Sequence, residues 1–354
     1  MTRNLRLKIQ QNAPLAPFTT LKIGGAARFF VRAETETEAV EAFEFACKNA
    51  LDLFVLGGGS NVLISDKGFD GLVLQIAIKG ISFSQPKNGI VEVTAKAGEE
   101  WDEFVRACVE KNLSGVECLS GIPGFVGGTP VQNVGAYGQE VSETITKVRA
   151  LDRKSGEILE LSGSECRFAY RSSIFNTTEK NRFIVLAVTY ALKENGAPKI
   201  AYKDLRQYFG ERQPTLRETR EAVLEIRRAK SMVIDPDDEN SRSAGSFFKN
   251  PIVPLEKYLE ITEKAESYGI ESVPKFDVSP NEVKIPAAWL IEKSGFAKGF
   301  RRGKVGISTR HTLAIVNFDN GSAEEILALK DEIQTAVAKK FDVRLTPEPV
   351  FIGF

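Results

Sequence analysis

Ser246 lies in the run Ala244-Gly245-Ser246-Phe247-Phe248-Lys249-Asn250-Pro251. A hydroxyl between a glycine and two phenylalanines stands at the edge of an apolar wall. It can serve as a proton donor or nucleophile, or bond local backbone as most serines do. A nucleophile needs a base. The single histidine, His311 in Thr309-Arg310-His311-Thr312, gives no reason to be paired with Ser246 and is expected to be structural. Glu348 stands between Pro347 and Pro349. Proline fixes the backbone on both sides, so the carboxylate reads as positioned; the alternative is a surface glutamate. Arg171 is embedded in Phe168-Ala169-Tyr170-Arg171-Ser172-Ser173-Ile174-Phe175. It can clamp a carboxylate bidentately or stack as a structural cation. Further cations gather at Arg227, Arg228 and Lys230, and at Lys284, Lys293, Arg301, Arg302 and Lys304. Such charges usually form a solvated face, but here they could serve an anionic substrate.

Two glycine-rich loops could bring backbone close to a ligand. The first is Leu56-Gly57-Gly58-Gly59-Ser60-Asn61-Val62-Leu63. The second runs from Ser120 through Gly121-Ile122-Pro123-Gly124-Phe125-Val126-Gly127-Gly128 to Gln132-Asn133-Val134-Gly135-Ala136-Tyr137-Gly138. Glycine permits close approach and positive φ, and successive N–H groups in such turns form anion-binding concavities. The first loop is not a Walker motif, because no Lys-Ser/Thr pair follows. It is not a dinucleotide fingerprint either, because β-formers rather than a helix follow. Long ordered loops inside compact domains are usually functional. Together the loops suggest an elongated ligand held at its pyrophosphate.

The elements that must position these residues are legible in outline. Residues 35–50 read as a helix with Val40, Phe43 and Cys47 on one face. Residues 53–56 form a short strand feeding the first loop, and 62–64 and 72–74 are further strands, making a small βαββ unit. Residues 99–111 read as a helix with Trp101, Phe104, Val105, Cys108 and Val109 inward. Residues 158–161 and 183–190 look like antiparallel strands. Thr215/Glu218 and Ser322/Glu325 are capping boxes. The second opens a helix with Ile326, Leu329, Ile333 and Val337 as its apolar stripe. The chain has 354 residues, with Lys plus Arg equal to Asp plus Glu at 47 each. A balanced total gathers no nucleic acid over distance, so that partner is not expected. Cys47, Cys108, Cys118 and Cys166 form no C-x-x-C pair, so no metal site is expected. Sparse cysteine fits a reducing compartment. Residues 1–6 lack the apolar core of a signal peptide, and no apolar run approaches membrane-spanning length. A cytoplasmic protein with no membrane partner is expected.

With these motifs assembled, the chain resembles the UDP-N-acetylenolpyruvoylglucosamine reductase family, flavoenzymes of bacterial peptidoglycan precursor synthesis. The resemblance covers nearly the whole chain. It rests on Thr20-Leu21-Lys22-Ile23-Gly24-Gly25, both glycine loops, Tyr170 to Phe175, Gly245 to Pro251 and Pro347-Glu348-Pro349, in that order. It implies an α+β chain: a two-subdomain FAD-binding fold of the vanillyl-alcohol-oxidase type plus a C-terminal α+β substrate domain. The implied division is 1–78 with 343–354, then 79–225, then 226–342 for substrate. The implied reaction is NADPH-dependent reduction of UDP-N-acetylglucosamine enolpyruvate through bound FAD. Hydride would reach C3 of the enolpyruvyl group and a proton C2. The resemblance assigns Ser246 as proton donor, where some relatives use cysteine, with Arg171 and Glu348 steadying the developing charge. FAD would lie along Gly57, Gly58, Gly59, Ser60, Asn61, Gly121, Ile122, Pro123, Gly124, Gly127 and Gly128. Gln132, Asn133, Gly135, Ala136, Tyr137 and Gly138 would lie near it. Tyr170, Tyr202, Lys230, Asn250 and Lys284 would face substrate. Tyr202-Lys203-Asp204-Leu205 resembles the extra tyrosine-bearing loop of the longer family type. A monomer is expected. The alternatives are another FAD-dependent oxidase of the same flavin fold acting on a sugar or alcohol, and a non-catalytic nucleotide-sugar binding module.

Overall fold

Capping boxes start three of the long helices. Thr35 with Glu38 opens Glu36–Lys48, Thr215 with Glu218 opens Leu216–Ala229, and Ser322 with Glu325 opens Ala323–Phe341. In each, the cap hydroxyl accepts the N3 amide proton and the glutamate answers the cap's own N–H, so two orphan donors are satisfied. The computed structural model describes residues 7–354; residues 1–6, read above for a leader, lie outside them. The described residues form two compact units. The first comprises the chain up to residue 13 with 27–59 and 69–233; the second comprises 14–26, 60–68 and 234–354.

The first unit contains a parallel sheet and an antiparallel one. In the parallel sheet, Phe69–Ile76 lies between Ala26–Ala33 and Leu53–Leu56. Helix Glu36–Lys48 joins those two flanking strands in sequence. Its buried residues are Ala39, Ala42, Phe43 and Ala46, while Cys47 is exposed and Val40 only half-buried. The expected face is therefore corrected by about a quarter of a turn. An alanine stripe brings a helix close to its neighbours, but alanine signals apolarity too weakly to stand out in a periodicity count. The antiparallel sheet has the order Ile158–Ser162, Ile145–Asp152, Phe183–Glu194, Ile90–Lys96, Ile81–Phe83. Helix Trp101–Glu110 buries all five residues expected of it. Trp101 and Phe104 pack on Tyr190, with ring centroids 5.8 and 4.8 Å away. That aromatic cluster underlies the second glycine loop, because the Tyr190 hydroxyl and Thr129 Oγ1 are 2.8 Å apart.

In the second unit the chain's last strand, Val350–Ile352, returns to pair in parallel with Val62–Ile64, directly after the first glycine loop. Two small sheets follow: Ile252–Pro254, Glu282–Lys284 and Phe276–Ser279; and Arg301–Arg302, Val305–Ile307 and Ile315–Asn317. The Ala323–Phe341 helix buries Ile326, Leu329, Ile333 and Val337 as its sequence requires. Phe247 and Phe248 are buried in the same core.

Candidate functional site

In the first unit the two glycine loops touch. A Cβ built on Gly58 would stand 2.7 Å from Gly124 Cα, so only glycine allows this approach. A Cβ on Gly57 or Gly128 would meet nothing within 4 Å, so both backbones face open space. Gly121 differs. Its N–H donates to Asp102 Oδ1 at 2.5 Å, and a Cβ there would strike Leu224 Cδ2 at 2.7 Å. Glycine stands at 121 because helix Leu216–Ala229 lies against it, and its amide is committed to a side chain rather than pointed at a ligand. Asp102 is also gripped by Arg220 at 2.6 and 2.8 Å. Burial pushes the Asp102 carboxyl up, but Arg220, the Gly121 amide and nearby Arg227 outweigh it and hold the group below its ordinary range.

Arg227 is 6 % exposed. Its Nη2 donates to the Met232 carbonyl at 2.6 Å and it also bonds the Tyr137 hydroxyl, yet its Nε–H has no partner. That Nε lies 3.3 Å from where a Gly121 Cβ would be. Burial works against the guanidinium charge, and Tyr137 and Asp102 support it. The sequence alone suggests a solvated cation here, or one serving an anionic substrate. The structure shows a buried cation beneath the second loop with an unspent donor.

Tyr137 has φ of +49° and packs edge-on against Tyr202, centroids 5.4 Å apart. Lys230, which caps the end of helix Leu216–Ala229, lies 6.0 Å from the Tyr137 ring centre and pairs with Asp204 at 2.6 Å. Tyr202 caps the start of helix Lys203–Phe209. Tyr137, Tyr202 and Lys230 are thus brought together, along with Gly138, whose virtual Cβ would contact Ala201 at 3.5 Å. Burial pushes both tyrosine hydroxyls up, so both stay protonated donors at neutral pH.

Arg171 also sits at positive φ, +52°, a conformation that costs a non-glycine residue and concentrates at functional positions. Its guanidinium donates to the Gly135 carbonyl at 2.7 Å and, at 3.5 Å, to that of Asn133. It also lies over Tyr170, 5.7 Å from the ring centre. The end of the second loop is therefore gripped by the arginine. Asn133 is buried, and its side chain pins this turn through Glu140 Oε2 at 2.7 Å, the Ala169 carbonyl at 3.1 Å and the Ser142 amide at 3.0 Å. Its side chain is engaged in fastening the loop. Gln132 and Ala136 lie half-buried in the same turn, and Ile122 and Pro123 half-buried near its start.

In the second unit a short backbone bridge assembles another group. The Glu348 N–H donates to the Phe247 carbonyl at 2.9 Å, Phe248 bridges Pro347, and the Lys249 N–H donates to Thr346. Ser246 lies in the bend that leads into this bridge, and Glu348 lies on the segment opposite. Asn61, from the end of the first loop, donates from Nδ2 to the Glu348 carbonyl at 3.3 Å, and its own carbonyl accepts the Val350 N–H. Ser60 precedes it, half-buried. The sequence gives no reason to pair His311 with Ser246, but the structure does: His311 Nε2 lies 3.4 Å from Ser246 Oγ. The two are 65 residues apart in sequence, and the Phe247 N–H donating to the Leu313 carbonyl at 2.7 Å ties their segments together. Asn250 accepts the Ala287 N–H at 2.8 Å, capping helix Ala287–Lys293. Lys284 pairs in register with Ile252 and lies 5.9 Å from the Phe276 ring centre. Among the described residues no cluster of metal-ligating side chains is found.

Residues 235–352 match the family model for the UDP-N-acetylenolpyruvoylglucosamine reductase C-terminal domain, and residues 27–162 match a FAD binding domain. The UDP-N-acetylenolpyruvoylglucosamine reductase of Thermobifida fusca is 43% identical over 349 residues, 97% of this chain and 98% of that one. The Streptomyces coelicolor protein of the same name is 43% identical over 97% of this chain and 90% of its own. Among solved structures, the reductase from Thermus caldophilus superposes with a TM-score of 0.66 over 98% of this chain and 99% of that chain. At 24% identity that likeness speaks to fold alone.

Proposed function

The chain belongs to the UDP-N-acetylenolpyruvoylglucosamine reductase family, and from that premise we propose how its residues divide the reaction. It is an α+β FAD-dependent oxidoreductase that reduces UDP-N-acetylglucosamine enolpyruvate with NADPH in peptidoglycan synthesis. The residues of the first unit fit FAD: two glycine loops in contact, open backbone at Gly57 and Gly128, and an orphaned buried donor on Arg227. In our reading the loop residues from Gly57 to Asn61 and from Gly121 to Gly138 hold it. Gly121 contributes by seating the loop on Arg227, whose Nε–H meets an anionic group. Bound FAD supplies hydride transfer from NADPH to C3 of the enolpyruvyl group.

Negative charge then develops at C2 and on the attached carboxylate. Arg171 steadies it by charge-assisted hydrogen bonds. Glu348 helps as a protonated acid or by orienting a donor, since a bare carboxylate would repel that charge. Ser246 donates its proton to C2. A serine hydroxyl is a weak acid, but a carbanion is a far stronger base, so the transfer runs downhill; positioned proton transfer of this kind is worth about 10²- to 10⁴-fold. Tyr202 and Lys230 receive the substrate diphosphate, which competes with Asp204 for the Lys230 ammonium; Tyr170, Asn250 and Lys284 assist. Residues 1–78 with 343–354 and residues 79–225 form the flavin-binding subdomains, and 226–342 the substrate domain. The protein works as a cytoplasmic monomer and, through the cell wall, bears on cell shape and division.

The single observation that carries the catalytic assignment is the Phe247–Glu348 bridge, which puts the Ser246 hydroxyl and the Glu348 carboxylate on paired segments. Anaerobic mixing of the yellow protein with NADPH, and then with the enolpyruvyl UDP-sugar, tests the reading. Bleaching followed by recovery of colour is expected. Oxygen consumption with simple sugars and no NADPH would favour the oxidase reading instead.

A further inference from the structure

We propose that His311 returns a proton to Ser246 in the same step in which Ser246 protonates the substrate carbon. The inference rests on the assignment of Ser246 as proton donor. A hydroxyl that gives its proton to C2 becomes an alkoxide. Here that alkoxide would form next to Phe247 and Phe248, 0 and 1 % exposed, where water cannot approach from the apolar side. An alkoxide left in such a place is costly unless a donor reaches it. The donor at hand is His311 Nε2, 3.4 Å from Ser246 Oγ; catalytic hydrogen bonds are often long before substrate closes the site.

The backbone that carries the imidazole is fixed on both sides of His311. Ser308 Oγ accepts the His311 backbone N–H at 3.2 Å and donates to Asn240 Oδ1 at 3.1 Å; Asn240 Oδ1 also takes the Thr309 backbone N–H at 2.9 Å. The His311 carbonyl accepts the Ala314 N–H at 3.0 Å. Thr312 donates to Glu292, which ties the next residue to helix Ala287–Lys293. Asn240 is buried at the end of the acidic stretch 235–240, so that stretch acquires a purpose: it seats the histidine loop. His311 itself is only half-buried, so its ring can exchange protons with solvent.

The step balances. The Ser246 O–H bond breaks as the C2–H bond forms. In the same step the Nε2–H bond of the imidazolium breaks and the Ser246 O–H bond re-forms, so no free alkoxide is left. Solvent reprotonates the neutral imidazole, and no electrons move in either transfer. His311 therefore acts through Ser246, as a positioning and proton-return residue.

Rapid mixing of the holoenzyme separates this role from a structural one. His311→Gln keeps an amide donor but cannot pass a proton on. It should be bleached by NADPH at the wild-type rate and recover colour with substrate about 10²-fold more slowly. His311→Ala should show the same split, partly restored by free imidazole. In the wild-type protein, recovery rates across mixtures of H2O and D2O should curve, as two protons in flight require. Wild-type recovery by His311→Gln, or a linear dependence on deuterium fraction in the wild type, would overturn the proposal. Ser246→Ala keeps the two levels apart. If it stalls in recovery while His311→Gln does not, only the return step is wrong; if it recovers normally, the donor assignment beneath it has failed.

Discussion

The two units hold their site residues by different means. In the first, charge and strained backbone do the work. Arg220 grips Asp102, Asp102 grips the Gly121 amide, Arg227 lies buried beneath, and Tyr137 and Arg171 are kept at positive φ. In the second, ordinary backbone pairing does it. Phe247 pairs with Glu348 and Leu313, and Phe248 bridges Pro347. The contrast fits the tasks proposed for the two units. Holding an anionic cofactor calls for fixed cations and preorganised dipoles, which cost stability and must be over-determined by their surroundings. Moving a proton calls for one hydroxyl and its partner at a set distance, which a two-stranded bridge supplies cheaply.

The largest effect should come from the paired segments of the second unit. Glu348→Ala removes the carboxyl while leaving the backbone pairing, and should lower kcat about 10²- to 10³-fold, the usual cost of one transition-state donor. Glu348→Gln, which still presents a donor, should retain most of the activity. Equal losses in the two variants would mean that Glu348 acts as a charged group, contrary to its role here. A smaller effect is expected in the first unit. Gly58→Ala places a methyl 2.7 Å from Gly124 Cα, backbone against backbone. Overpacking of this kind costs about 1–3 kcal/mol, so FAD affinity should fall roughly tenfold to a hundredfold. Unchanged FAD content after dialysis would show that the loops part without consequence.

Much of this architecture was legible in the sequence because it is local. The Thr215/Glu218 and Ser322/Glu325 boxes, and the Trp101 to Val109 stripe, need only their neighbours within two turns. The family motifs marked the loops for the same reason. What stayed hidden depends on residues far apart in sequence. Nothing near Gly121 announces Leu224 and Arg227 lying on it. Nothing near His311 announces Ser246, because a tertiary bridge through Leu313 and Phe247 joins them. Arg227 sits in a cationic stretch that looks solvated, and only packing of its helix against the second loop buries it. Ala39, Ala42 and Ala46 mark their face only weakly, because their side chains are small.

The smallest effect sharpens the contrast through acid. The Asp102 carboxyl has its folded pKa held below the ordinary value, so its contribution to stability is fully present above that value, near 3.9, and is lost as pH falls through the lowered folded value. Arg220→Gln should remove that depression. The thermal midpoint of the variant should therefore lie below that of the wild type at neutral pH, with the gap narrowing as pH drops below 4. A gap that widens on acidification would contradict the Asp102–Arg220 account.

The central claim is that the second unit supplies the proton and the first does not. It is tested most directly by following flavin absorbance in Ser246→Ala through both half-reactions in one anaerobic experiment. The account predicts bleaching by NADPH at the wild-type rate, then recovery by saturating enolpyruvyl UDP-sugar slowed by about 10²-fold or more. Recovery at the wild-type rate would contradict it.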